Sequence, residues 1–77
     1  MELVDIEKLI IDVPDYPKPG ILFKDITPIL KDPAAFASSI SLMAETISEC
    51  DAIAAVEARG FIFGSALSLY MKKPLIL

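Results

Sequence analysis

The chain has 77 residues, 55% of them hydrophobic, with seven basic against eleven acidic side chains for a net charge of −4. A mean hydropathy of +0.60 excludes disorder, because there is ample apolar surface to offset the entropy of ordering. The acidic balance excludes a general binder of nucleic-acid backbones, which needs a basic stripe, while leaving room for a small anion held by a few local donors.

Leu3, Ile6 and Ile10 fall at helical spacing, with Glu2, Asp5, Glu7 and Lys8 mostly on the other side. The pattern predicts a short amphipathic helix over residues 2–11, with acids in the first turn where the dipole favours them. The same stretch lacks the basic region and long apolar run of a secretory signal. Val13-Pro14-Asp15-Tyr16-Pro17-Lys18-Pro19-Gly20 follows. Its prolines forbid helix and predict a stiff, extended loop, with Pro19-Gly20 in the middle of a type II turn. So rigid a loop in a small domain is costly unless it positions something.

Ile21 to Ile26 reads as a short strand that Thr27-Pro28 interrupts, hence an edge or isolated segment. Asp32-Pro33 is a helix start, Asp32 as cap and Pro33 pre-set for the first helical position. Phe36, Ile40, Met43 and Ile47 then continue an amphipathic helix to about Cys50. That lone cysteine fits a reducing compartment as a small core residue, and without histidine the chain has neither a disulfide nor the usual zinc ligands. Chains this small bury only about 60% of their unfolded surface and lean on a staple or a partner.

Ala52-Ile53-Ala54-Ala55-Val56 is a continuous apolar run, predicting a strand buried on both faces of a parallel sheet. Glu57-Ala58-Arg59-Gly60 is the loop after it. Phe61 to Met71 predicts a helix apolar nearly all round and buried on more than one side, closed by Lys72, Lys73 and Pro74. It is well short of the roughly 20 residues of a membrane span. Leu75-Ile76-Leu77 opens another buried strand. Strand, loop, helix, strand is a right-handed βαβ unit, and two parallel strands cannot stand alone. The expected class is therefore α/β, a single incomplete domain over 1–77, with an N-terminal segment 1–32 and the start of a parallel core over 33–77.

In open α/β folds ligands bind beyond the carboxyl ends of strands. Glu57-Ala58-Arg59-Gly60 lies there: helix N-terminal amides attract anions, Gly60 permits close approach, and Arg59 offers a fork for phosphate oxygens. The plainer account by residue type is a surface ion pair between Glu57 and Arg59. The other candidate is Leu22-Phe23-Lys24-Asp25, where an aromatic ring and strand-edge peptide groups suit a flat heterocycle. Its plainer account makes Phe23 core, Lys24 solvated, and Asp25 a cap on the Thr27-Pro28 turn. Gly60-Phe61-Ile62-Phe63-Gly64 has a G-x-x-x-G spacing that points to close helix packing. No nucleophile–histidine pair or metal-ligand cluster is available, so no catalytic residue and no metal ligand is assigned.

The stretch from Val13 to Pro33, and Asp51 to Gly64 after it, resemble in order and separation the N-terminal region of the adenine phosphoribosyltransferase family, type I phosphoribosyltransferases. The resemblance implies the N-terminal part of that fold and a transfer of phosphoribose from phosphoribosyl pyrophosphate to adenine, giving AMP and pyrophosphate in purine salvage. It implies Mg²⁺ carried with the donor, a cytoplasmic homodimer, and no nucleic-acid or membrane partner. Phe23 would stack on adenine, with the backbone of Leu22 and Lys24 at its polar edge. Glu57, Ala58, Arg59 and Gly60 would form the pyrophosphate loop, with a cis peptide between Glu57 and Ala58. The family's acidic, Thr/Gly-rich motif for the ribose 5′-phosphate is missing, so residues 1–77 alone are expected to be inactive. A different purine specificity, or a non-catalytic ligand sensor on the same fold, is the alternative.

Overall fold

A computed structural model describes residues 2–77. The chain forms two compact units, Met1–Ser39 and Ile40–Leu77.

In the first unit, α1 spans Leu3–Glu7 only, with the Asp5 carboxylate accepting the Glu2 N–H at 3.1 Å. The expected continuation to residue 11 gives way to a turn, in which Leu9 and Ile10 N–H donate to Ile6 and Glu7 C=O at 3.0 and 3.1 Å, and then to a strand, β1, at Ile11–Pro14. It pairs antiparallel with β2, Leu22–Asp25, in the register Ile11↔Asp25, Asp12↔Lys24, Val13↔Phe23 and Pro14↔Leu22. The proline segment is thus not one long loop. Its first residues are an edge strand that ends where Pro14 has no N–H to donate. The turn is as predicted: Ile21 N–H donates to Lys18 C=O at 3.3 Å, and Gly20 takes φ +88°, the value a type II turn requires after proline.

Thr27-Pro28 does not merely interrupt a strand. It opens a short helix, α2, at Thr27–Lys31, with Pro28 in the first turn where its missing N–H costs nothing. Asp32 then starts α3, Pro33–Glu45, accepting the N–H groups of Ala34 and Ala35 on one carboxylate oxygen at 3.0 and 3.2 Å. The helix stops at Glu45, short of Cys50. Thr46 and Ile47 turn back, donating to Met43 and Ala44 C=O at 3.1 Å. Ile6, Ile29 and Ala35 are the buried apolar residues of this unit.

In the second unit, β3 (Ile53–Ala54) and β4 (Leu75–Ile76) pair in parallel, in the register Ile53↔Leu75 and Ala54↔Ile76. The crossover is α4, Arg59–Met71, so the βαβ unit stands. Its end is a Schellman motif: Lys73 N–H donates to Ser68 C=O at 3.0 Å, Lys72 N–H to Leu69 C=O at 3.3 Å, and Lys72 is left-handed at φ +58°. Ile40, Ile53, Gly64 and Leu67 are buried. The expectation that α4 is buried on several sides fails: Ile62, Leu69 and Tyr70 are exposed. Two strands of two residues each offer only one narrow surface to cover a helix apolar all round.

Candidate functional site

Pairing of β1 with β2 sorts their side chains onto two faces, because successive residues of a strand alternate. Val13, Phe23, Ile11 and Asp25 share one face; Asp12, Lys24, Pro14 and Leu22 share the other. On the second face Lys24 Nζ and the Asp12 carboxylate pair at 2.5 Å, both more than half exposed. On the first face lies a cleft of about 300 Å³ lined by Val13, Tyr16, Phe23 and Asp25. Tyr16 and Phe23 meet edge to face, with ring centroids 5.3 Å apart and planes at 70°.

Phe23 therefore lies in the cleft, half-buried, whereas the side chains of Leu22 and Lys24 point to the opposite face. In an antiparallel ladder alternate residues turn their peptide groups the same way, so Leu22 and Lys24 share one direction and Phe23 has the other. Asp25 also caps: its Oδ1 accepts the Thr27 N–H at 3.0 Å and the Thr27 hydroxyl at 2.9 Å. Sequence reasoning missed Val13 and Tyr16. A Pro-Gly turn centred on residues 19–20 was the available signal, since folding the chain back there carries Val13 to Phe23.

In the second unit the peptide between Glu57 and Ala58 is cis, as the resemblance implies. Glu57, Ala58 and Arg59 are exposed and Gly60 half-buried. The N-cap of α4 is Ala58, at φ −110° and ψ −27°, which has no side-chain acceptor to close off the first-turn amides. Arg59 opens α4 directly after the exposed Glu57-Ala58 peptide, while the Phe61 N–H already donates to Ala58 C=O at 3.1 Å; an arginine at a helix start is a composition suited to an oxyanion. A Cβ on Gly60 would meet no atom within 4 Å, so nothing of the protein occupies the space in front of it. Gly64 differs: its Cβ position lies 2.6 Å from the Ala55 Cβ. The G-x-x-x-G spacing marks close packing of α4 on the chain leaving β3, at its second glycine only.

The fold class is α/β, with an aromatic cleft on the hairpin of the first unit and, in the second, a loop at the carboxyl end of a parallel strand. No protein-family model matches the chain. Curated relatives do: the adenine phosphoribosyltransferase of Pseudothermotoga lettingae is 53% identical over 75 residues, 95% of this chain and 44% of its own length. That of Solidesulfovibrio magneticus is 56% identical over 70 residues, 88% of this chain and 41% of its own. Among solved structures, the adenine phosphoribosyltransferase of Thermoanaerobacter pseudethanolicus superposes with a TM-score of 0.92 at 46% identity, over 96% of this chain and 45% of that one. The Giardia lamblia enzyme, crystallised with 9-deazaadenine, gives 0.87 at 30% identity, over 97% of this chain and 42% of that one. By sequence and by fold the chain is related to the adenine phosphoribosyltransferases, and it spans less than half the length of the relatives it matches.

Proposed function

We propose that the protein to which these residues belong is an adenine phosphoribosyltransferase, converting adenine and phosphoribosyl pyrophosphate to AMP and pyrophosphate in purine salvage. The observation that carries this reading is 53% identity along nearly the whole chain to an enzyme of that name. Related structures support both halves of the substrate pair: one holds 9-deazaadenine, another, from Saccharomyces cerevisiae, adenine and an imino-altritol bisphosphate.

In this reading Phe23 stacks on adenine, and the peptide groups of Leu22 and Lys24 meet its polar edge. The base is thereby held with N9 facing C1 of the ribose, a contribution of positioning. As the N9–C1 bond forms, adenine gives up its imidazole-ring proton to solvent, the C1–oxygen bond to pyrophosphate breaks with its electron pair, and negative charge grows on the leaving group. The Arg59 guanidinium and the amides at the start of α4 are placed to stabilise that charge, with Gly60 allowing its oxygens close to the backbone. Glu57 and Ala58 shape the loop.

Magnesium in this reading arrives bound to the donor and supplies further charge neutralisation. Among the described residues no three Asp, Glu, Cys or His side chains gather in one place, and no step of this reading runs through a resident metal. A cytoplasmic homodimer is part of the proposal. No helix among the described residues is long and apolar enough to cross a membrane.

The test joins residues 1–77 to the remainder of the Pseudothermotoga lettingae relative and follows labelled adenine into AMP. Turnover that Arg59→Ala lowers by about 10²-fold supports the reading. A completed chain that binds neither adenine nor the donor refutes it. Residues 1–77 alone are expected to give no AMP, and turnover by them would overturn that expectation.

A further inference from the structure

The proposed stacking on Phe23 leaves one wall of the cleft without a role. Tyr16 is 54% exposed, yet its backbone is pinned from both sides. Its N–H donates to Ile21 C=O at 3.1 Å. Before it, Asp15 is left-handed at φ +56° and its carboxylate accepts the Gly20 N–H at 2.9 Å. After it comes Pro17, whose ring fixes its own φ. A side chain left this exposed contributes little by burial, so core packing does not account for so firm a placement.

We propose that Tyr16 is a positioning residue of the base site, forming with Phe23 a corner that takes a purine's flat face on Phe23 and its rim against Tyr16. The inference rests on the adenine reading of the cleft. Because the two ring planes stand at 70°, a base lying parallel to Phe23 meets Tyr16 nearly perpendicular, the edge-to-face arrangement that aromatic quadrupoles favour. Stacking alone leaves a base free to slide in its own plane. A second ring across its rim removes that freedom and sets where N9 points. The ring does this and the hydroxyl is dispensable.

The test uses the completed chain and steady-state kinetics with both substrates varied. Tyr16→Phe is expected to keep the adenine KM within about twofold. Tyr16→Ala and Tyr16→Leu raise it about 3- to 10-fold, the range an aromatic pair supports, and leave the donor KM unchanged. Leucine retains apolar bulk at the loop, so a loss shared by both variants is not a collapse of the hairpin. An unchanged adenine KM in either variant, or both KM values rising together, overturns the proposal. Phe23→Ala separates the two levels. If it too leaves the adenine KM unmoved, the base-site reading itself has failed; if it raises it while the Tyr16 variants do not, only the role of Tyr16 has.

Discussion

Gly64 and Ala55 hold helix and strand together at a distance no side chain could share: a Cβ on Gly64 would lie 2.6 Å from that of Ala55 and 3.5 Å from Leu75 Cδ1. Ala55 follows β3 and donates its N–H to Ile76 C=O at 3.0 Å, so it cannot retreat without loosening the parallel pair. Gly64→Ala is therefore expected to destabilise the protein by about 1–3 kcal/mol through overpacking. Urea unfolding should show a lower midpoint at unchanged slope. An unchanged midpoint would mean that α4 can slide on the sheet.

Gly60, one helical turn earlier, gives the opposite expectation for stability. Nothing lies within 4 Å of its Cβ position, and alanine is a better helix former by up to about 1 kcal/mol. Gly60→Ala should raise the unfolding midpoint. Under the proposed function its methyl group stands where pyrophosphate oxygens approach, so the donor KM of the completed chain should rise while the adenine KM does not. A stabilised variant with an unaltered donor KM would count against the loop as the pyrophosphate site.

Asp32 accepts two first-turn amides of α3. Asp32→Ala is expected to cost about 1 kcal/mol, and Asp32→Asn much less, because the amide oxygen can cap almost as well. Thermal unfolding of the two variants side by side distinguishes capping from a loss of charge, which would make them equal.

Legibility in the sequence followed the range of the interactions. The Asp32 cap, the Pro19-Gly20 turn and the βαβ order depend on near neighbours, and each was readable from residue type. The β1–β2 pairing was not: Val13 meets Phe23 only because the chain returns on itself, and Pro14 and Pro17 masked a strand among turn residues. For the same reason Phe23 stood out as a candidate and Tyr16 did not. The composition of α4 showed that something must cover it, but apolarity on every side carries no direction. Leu69 at 82% exposure and Val56 at 81% were beyond reach. The Glu57–Gly60 loop was legible as a strand-to-helix junction, and its chemistry came from resemblance, since four residues of that type fit a surface ion pair equally well.

Gly20 sits at φ +88° at the tip of the hairpin loop with empty space around it, so any penalty on substitution is conformational. Gly20→Ala should cost about 1–2 kcal/mol, the price of a left-handed backbone for a residue with a Cβ. Because Gly20 N–H also donates to Asp15 beside Tyr16, a shifted turn would move the cleft wall. The Tyr16–Phe23 ring contact, followed by ring-to-ring nuclear Overhauser effects, should weaken in this variant. An intact contact would show that the Asp15–Gly20 bond does not fix Tyr16.

Lys72 presents the same strain at a site where it can be relieved. It is a non-glycine residue at φ +58°, closing α4 through the Schellman bonds to Ser68 and Leu69. Glycine removes the clash of Cβ with the following carbonyl, about 1–2 kcal/mol, and returns part of that gain through a more flexible unfolded chain. Lys72→Gly should therefore stabilise by a net of roughly 0.5–1 kcal/mol. Lys72→Ala, which keeps the Cβ while removing the charge, separates backbone from electrostatics. If the alanine variant is as stable as the glycine variant, relief of φ is not the cause, and the charge at the end of α4 is.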